Sequence, residues 1–167
     1  ISDELYEKLV FDGATMTSIA GLPGMWDRTI TINGFSKAYN VTGMRVGYFA
    51  APAAFTEAAL ELRHMMTICA PTISQWAALV ALDGPQTCVQ ETLATYAARR
   101  TLMLERLAAW GVPSNRPQGA FFFFADIRAT GFSSFISACA CCKRSACWSF
   151  LAPNMEMLVR VSCACRS

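Results

Sequence analysis

The sequence predicts an α/β fold, in which short strands alternate with helices. A Thr–Ile alternation at 27–33 (DRTITIN) has the two-residue period of a strand. Apolar residues then recur at helical spacing over 53–66 and again over 72–84. An aromatic run at 120–127 (AFFFFADI) has the composition and length of a buried strand. Strands and helices joined by short links are typical of α/β units.

The first helix is predicted from the end of a second strand. Residues 44–52 (MRVGYFAAP) form an apolar, β-type run that ends at Pro52, a residue suited to the first turn of a helix. A helix over 53–66 follows. The next helical pattern closes at Gly84, which we expect to be a C-cap.

A long amphipathic segment at 85–111 is predicted to be the next helix, since it begins at a proline and ends at a glycine. We interpret it as a connection between a first part, 1–84, and a smaller second part, 112–167. At 167 residues the chain is long enough to bury a core.

Charge and composition exclude several partners. A net charge of +2 is too small to favour nucleic acid or an anionic membrane surface. No apolar run approaches the about 18 residues that a membrane-spanning helix needs. Residues 1–13 carry acids and a lysine where a secretory signal would be apolar, so we expect a cytoplasmic protein with reduced cysteines.

Residues 137–157 (SACACCKRSACWSFLAPNMEM) follow neither a helical nor a strand period. Alanine–cysteine codons, GCN-TGY, encode mainly leucine, valine, methionine and arginine when read from the third base, which would give an ordinary amphipathic helix. We therefore hypothesise that a frame slip covers about residues 138–155 and that the frame is restored before LVRVSCA.

The same tail allows a second interpretation, a cysteine-rich metal site. Structural zinc sites use paired cysteines with a second pair some distance away. Here the cysteines are bunched, which disfavours a tetrahedral site; the candidate ligands are Cys139, Cys141, Cys142, Cys147, Cys163 and Cys165.

Lys37 is the residue with the clearest chemical setting. It is one of three lysines and lies in the glycine-punctuated segment 33–47 (NGFSKAYNVTGMRVG). A lysine amine attacks carbonyl groups when its site lowers its pKa or holds its imine. Arg45 follows in the same segment, and a guanidinium binds phosphate through two parallel hydrogen bonds. Together these residues point to pyridoxal 5′-phosphate (PLP).

PLP also needs an acid beside its pyridine nitrogen, which keeps the ring protonated as an electron sink. Asp3 lies where a first strand is expected to end, and Tyr6 follows it by one helical turn. Asp3 taken alone is equally suited to cap a helix at ELYEKLV.

Four segments containing these residues resemble the class I/II aminotransferases, PLP enzymes of fold type I. They are SDELYEKLVFDG, TITINGFSKAYNVTGMRVGYFAAP, APTISQWAALVAL and RPQGAFFFFADI. The pattern Ser-Lys-x4-Thr-Gly-x-Arg-x-Gly, which starts at Ser36, is highly specific to that group. The resemblance runs from residue 1 to about 134 and returns at LVRVSCA.

The resemblance implies a role for each of these residues. Lys37 corresponds to the lysine that holds PLP as a Schiff base and moves the proton of the substrate α-carbon. Asp3 corresponds to the acid at the pyridine nitrogen, and Tyr6 to the phenol that contacts the ring oxygen. Ser36 belongs to the cofactor-binding motif, and Arg45 corresponds to the arginine on the phosphate.

Beyond the cofactor, Arg160 corresponds to the arginine that binds the substrate α-carboxylate. Gly34 departs from the pattern, since many members have a second phosphate-binding serine there. The implied fold is partial: the end of the large PLP domain, the connecting helix and an α+β C-terminal subdomain.

The resemblance further implies transfer of an amino group between an amino acid and a 2-oxo acid, by a full-length parent that is a homodimer. The chain begins at the strand that carries Asp3, so the resemblance makes it the C-terminal part of such an enzyme. An inactive remnant, or a related PLP lyase or decarboxylase, remains an alternative, as does the cysteine-rich metal module.

Overall fold

The computed structural model describes residues 1–131 and, for the backbone alone, two further strands at Ser149–Leu151 and Met157–Arg160. The chain divides into two compact units, Ile1–Ala94 and Thr95–Ser167, and the division falls inside the long helix. The mixture of helices and strands confirms the predicted α/β class.

A three-stranded sheet organises the first unit. Its strands are β1 (Ser2–Asp3), β2 (Thr31–Gly34) and β3 (Gly47–Ala50), in that order across the sheet. β1 runs parallel to β2, and β3 runs antiparallel to it. The predicted Thr–Ile strand is confirmed, but it begins only at Thr31, because Trp26–Arg28 form a turn of 3-10 helix.

The three predicted helices are confirmed as α1 (Ala53–Thr67), α2 (Thr72–Asp83) and α3 (Thr87–Ala109). Gly84 caps α2 through its N–H, which donates to the Val80 carbonyl at 2.9 Å. The glycine is extended there, with φ −80°. A β-carbon at that position would lie 2.6 Å from the Val80 oxygen, so glycine is required for close approach and not for a left-handed conformation.

The core of the first unit lies around the turns next to the sheet. Its buried apolar residues are Leu9, Phe11, Phe35, Ala38 and Val89. The helices α1 and α2 contribute no buried apolar residue to it. Large apolar side chains on both helices are instead exposed in the part of the chain that the structure describes.

A second sheet organises the second unit. β4 (Phe122–Ala125), β5 (Ser149–Leu151) and β6 (Met157–Arg160) form an antiparallel sheet in the order β4-β6-β5. The predicted aromatic strand is confirmed, although its burial is one-sided. Phe123 is 1% exposed and packs with Leu107, whereas Phe124 is 42% exposed, because successive side chains point to opposite faces of a strand.

Several expectations concern residues that the structure does not describe. The proposed frame slip at 138–155, apart from the backbone of β5, lies outside the described residues. The tail cysteines lie outside them as well. Within the described residues, no three metal-ligating side chains cluster together, and no helix has the length and apolar character to cross a membrane.

Candidate functional site

The turn that follows β2 carries Lys37. The Tyr39 N–H donates to the Phe35 carbonyl at 3.2 Å, which closes the turn. Phe35 and Ala38 are 5% and 4% exposed and anchor the turn in the core. Ser36 and Lys37 lie between these anchors and stay half-buried. The local pattern of buried and half-buried residues therefore presents the lysine at the edge of the sheet.

Lys37 lies against Tyr6 from the turn that follows β1. The Lys37 Nζ is 5.8 Å from the centroid of the Tyr6 ring, which is within the range of a cation–π contact. Residues 5–8 form turns and no helix, closed by hydrogen bonds from Glu7 N–H to Glu4 and from Leu9 N–H to Tyr6. Two residues that are distant in sequence are thereby brought together at one sheet edge.

Asp3 ends β1 at this same edge. It lies opposite Ile32 of β2, and since the two strands are parallel, their carboxyl ends meet on one side of the sheet. Its carboxylate is exposed, and Oδ1 accepts the Leu5 N–H at 3.2 Å. Asp3 therefore stands at a strand end, as expected, and its carboxylate accepts a hydrogen bond within a turn; the helix that it was expected to cap does not form.

Arg45 lies in the connection between β2 and β3. It follows the 3-10 turn Thr42–Met44 and has left-handed backbone angles, φ 49° and ψ 46°. Its exposed guanidinium donates through Nη1 to the Thr42 carbonyl at 2.8 Å. A left-handed conformation costs a non-glycine residue about 1–2 kcal/mol, and such positions cluster at functional sites.

Gly34 and Gly47 face each other across β2 and β3. A β-carbon on Gly34 would lie 3.3 Å from the Gly47 Cα and 3.3 Å from the Val46 oxygen. One on Gly47 would lie 2.9 Å from the Asn33 carbonyl oxygen. The two backbones approach closely here, so a side chain at position 34, such as the serine that the family resemblance suggests, would require a shift of a few tenths of an ångström.

Arg160 is the last residue of β6, where it pairs with Phe122 of β4. It belongs to the second unit, whereas the other predicted site residues belong to the first. Its side chain lies outside the described residues. The role predicted for Arg160 therefore stays a prediction.

Sequence reasoning missed a buried carboxylate beside Asp3. Glu4 is 4% exposed, and its Oε1 accepts hydrogen bonds from the Ser2 and Ser18 hydroxyls, each at 2.9 Å. These bonds fix the end of β1 and thereby the position of Asp3. The only available signal was that Glu4 follows Asp3, the acid expected at the pyridine nitrogen, and this position gives no hint of the hydroxyl partners of Glu4.

Sequence reasoning also missed the surroundings of the Lys37 turn. Tyr48 packs on Phe35, with ring centroids 5.9 Å apart. Partial burial, followed by the negative charge of Glu7, raises the pKa of Tyr48 above its ordinary value. Lys8 contacts Tyr39, the last residue of the turn, through a hydrogen bond of 3.3 Å.

Comparison with known proteins identifies the family. A sequence profile of the family "Aminotransferase class I and II" matches residues 1–167. The chain belongs to this family. The resemblance read from the Ser-Lys-x4-Thr-Gly-x-Arg-x-Gly pattern is thereby confirmed.

Individual aminotransferases match most of the chain. The aromatic-amino-acid aminotransferase 2 of Thermococcus litoralis is 43% identical over 136 residues, which are 80% of this chain and 35% of the relative. The aspartate aminotransferase of Pyrococcus abyssi is 41% identical over 136 residues, with the same coverage. The chain thus spans about a third of the length of these relatives.

The fold of the aminotransferase family is confirmed at the level of structure. The solved structure of the aromatic aminotransferase from Pyrococcus horikoshii superposes with a TM-score of 0.87 and 35% identity. The superposition covers 95% of this chain and 45% of that one. The chain therefore has part of the fold type I architecture.

Class I and II aminotransferases depend on PLP, and the residues of the first unit fit that cofactor chemically. The unit contains an amine beside a phenol, a carboxylate at the same sheet edge and an exposed guanidinium before β3. These are the groups that an aldehyde, a ring oxygen, a pyridine nitrogen and a phosphate require.

Proposed function

We propose that this chain carries the cofactor-binding lysine of a PLP-dependent aminotransferase, which transfers an amino group between an amino acid and a 2-oxo acid. The observation that carries the proposal is the contact between Lys37 and Tyr6. Their turns leave β2 and β1 at the sheet edge where Asp3 also ends its strand. The family match gives that arrangement its chemical meaning.

PLP, when bound, supplies a conjugated ring that withdraws electrons from the substrate α-carbon. Lys37 would hold the aldehyde carbon of the cofactor through its amine, and when displaced would take up and return the proton of the α-carbon. Asp3 would keep the pyridine nitrogen protonated. Tyr6 would donate a hydrogen bond from its phenol to the ring oxygen. Because Lys37 already lies against Tyr6, the ammonium and the phenol are neighbours before the cofactor binds.

The remaining predicted residues would bind the anionic ends of cofactor and substrate. Arg45 and the hydroxyl of Ser36 would contact the phosphate, and the exposure of the guanidinium leaves it accessible. Arg160 would bind the α-carboxylate through two parallel hydrogen bonds. Arg45 would have to exchange its present bond to the Thr42 carbonyl for one to phosphate, which a charged acceptor favours.

We further propose an α-amino acid substrate, a homodimeric full-length protein and a reducing compartment such as the cytoplasm. The relatives are named for aromatic amino acids and for aspartate, which supports the amino-acid class without selecting one member. Met65, Ile73 and Trp76 on α1 and α2 are large apolar residues with exposed side chains, and an interface that covers them supports association. Cys69 and Cys88 are free and exposed, which is compatible with reducing conditions.

Covalent trapping tests the proposal. The purified chain is incubated with PLP, reduced with borohydride, digested and mapped by mass spectrometry. We expect the reduced cofactor on Lys37 and its loss in Lys37→Arg, which keeps the positive charge but forms no stable imine. Lys143→Arg is the matched control and should retain the label. A label on Lys8 or Lys143, or no label at all, would contradict the proposal.

A second step separates the possible chemistries. The PLP-loaded chain is incubated with an aromatic amino acid, aspartate or glutamate. Release of the matching 2-oxo acid without loss of carbon dioxide supports transamination. Carbon dioxide or an elimination product would instead indicate a decarboxylase or a lyase. Trapping on Lys37 without any of these products indicates that the chain binds the cofactor but is inactive by itself.

A further inference from the structure

Three polar side chains of the first unit form a continuous hydrogen-bonded series beside the Lys37 turn. The Lys8 Nζ donates to the Tyr39 hydroxyl at 3.3 Å, and that hydroxyl donates to the Gln86 Oε1 at 2.9 Å. The Gln86 Nε2 donates to the carbonyls of Ala81 and Gly84, at 3.0 and 2.9 Å.

The direction of each bond in this series is fixed by chemistry. An amide nitrogen only donates, so its bonds to two carbonyls set the orientation of the Gln86 side chain and leave its oxygen as an acceptor. The Tyr39 hydroxyl must therefore donate to Gln86. Its lone pairs are then available to Lys8, which has donors alone. The series accordingly has a single arrangement of donors and acceptors.

The series connects the same two turns that carry the cofactor residues. Lys8 lies two residues after Tyr6, and Tyr39 lies two residues after Lys37. The contact between Lys8 and Tyr39 therefore joins these turns a second time, alongside the contact between Lys37 and Tyr6. Gln86 extends the link to the junction between α2 and α3.

Packing alone does not hold the Tyr39 side chain. A cavity of about 70 Å³ lies beside it and is lined by Glu7, Lys8, Asn33, Tyr39, Tyr48 and Leu82, among others. That volume would admit movement of the phenol if its hydroxyl lost its partners. The ring also contacts Phe35, with centroids 5.8 Å apart, and Phe35 lines the same cavity. The hydroxyl bonds therefore select one position for the ring and for the turn that ends with it.

We propose that Lys8 and Tyr39 are positioning residues, which lock the Lys37 turn against the Tyr6 turn so that the lysine amine is held ready for PLP. The inference rests on the proposed function for its consequence at the cofactor. Its structural part, the locking of the turn, stands on the hydrogen bonds themselves. A bond between an ammonium and a hydroxyl is charge-assisted and stronger than a neutral one, which suits Lys8 to this task.

The cofactor readout uses conservative variants and a matched control. Tyr39→Phe removes the hydroxyl and keeps the ring, and Lys8→Met removes the ammonium and keeps most of the apolar stem. We expect each to raise the PLP concentration for half-maximal trapping on Lys37 about tenfold, the effect of losing one charge-assisted bond. The double variant should lose less than the sum of the two single losses, because both single variants break the bond between Lys8 and Tyr39, although Tyr39→Phe also removes the bond to Gln86. Tyr96→Phe makes the same chemical change in the second unit and should leave trapping unchanged.

A second readout needs no cofactor. Amide hydrogen exchange at residue 39, whose N–H donates to the Phe35 carbonyl, reports opening of the turn. We expect exchange there to be several-fold faster in Tyr39→Phe and Lys8→Met than in the unmodified chain, and unchanged in Tyr96→Phe. Lys8→Arg, which retains a charged donor, should restore most of the protection.

The two readouts separate the inference from the proposed function. Absence of trapping in the unmodified chain overturns the proposed function, and exchange then decides whether the turn is locked. Unchanged exchange in Tyr39→Phe overturns the locking. Faster exchange with unchanged trapping overturns the positioning role, because the locked turn would then make no difference to the cofactor.

Discussion

Replacement of Gly47 by alanine tests whether close backbone contact between β2 and β3 sets the geometry beside Arg45. The added β-carbon would lie 2.9 Å from the Asn33 carbonyl oxygen, whereas ordinary contacts of a β-carbon begin at 3.4 Å. The obstacle is backbone and no flexible side chain, so β3 itself must move by about half an ångström. Forced expansion of a packed site costs about 1–3 kcal/mol.

Two neighbouring glycines give a graded comparison. Gly34→Ala places its β-carbon 3.3 Å from the Gly47 Cα and should cost less than Gly47→Ala. Gly43→Ala meets no atom within 4 Å. Alanine at such an open position is neutral or stabilises by about 0.4–1 kcal/mol, since it restricts the unfolded chain. The free energies of unfolding should therefore fall in the order Gly43→Ala, Gly34→Ala, Gly47→Ala.

Urea unfolding followed by circular dichroism measures this order. With an m-value of about 2 kcal/mol per molar, a loss of about 2 kcal/mol lowers the urea midpoint by about 1 M. The difference between Gly47→Ala and Gly43→Ala is the informative quantity, because both replace a glycine in the same segment. Equal midpoints for these two variants would refute the argument from backbone contact.

Two further predictions concern the second unit. Phe123→Ala should destabilise this unit by about 3–5 kcal/mol, because Phe123 is buried, whereas Phe124→Ala on the exposed face should cost under about 1 kcal/mol. Urea unfolding measures both losses, and equal losses would contradict one-sided burial. The Arg128 side chain, and after it the Arg128 backbone N–H, lower the pKa of Asp126 to about 2. Because this value lies below the ordinary pKa of about 4, the interaction stabilises the folded protein above about pH 4, and the stabilisation is lost as the pH falls through 2. In Arg128→Ala a carboxyl NMR titration should find the pKa of Asp126 raised but still below 4, because the backbone N–H remains; an unchanged value would contradict the assignment.

The helices were predictable because local signals agree with one another. Prolines precede α1 and α2, apolar residues recur at helical spacing, and Gly84 closes α2. Their burial was not predictable in the same way. An apolar face indicates that something covers it, and the helices α1 and α2 leave residues such as Trp76 exposed in the described part of the chain. The sequence pattern therefore identifies the apolar face of a helix but does not identify the element that covers this face.

Some residues of the candidate site were likewise predictable from the sequence, and others were not. Asp3, Tyr6, Lys37 and Arg45 were named from their chemistry and from the family pattern, and the structure places all four in the first unit. Glu4 with its two hydroxyl donors was missed. No periodic signal marks a hydrogen bond between distant polar residues, since its formation depends on how the turns pack. The bond to Ser18 depends on how the loop before the 3-10 turn Ile19–Gly21 folds back on β1, which the sequence pattern does not indicate.

The register also explains why the site forms at this edge of the sheet. Asp3 lies opposite Ile32, so β1 ends while β2 still has two residues to run before the turn of Lys37. That offset brings the turn after β1 beside the turn after β2, and Tyr6 then meets Lys37. A shift of one residue would turn the side chains of β1 to the opposite face and would remove this contact. The hydrogen bond from the Ser18 hydroxyl to Glu4 opposes such a shift, because Ser18 lies outside β1 and holds the residue that follows this strand.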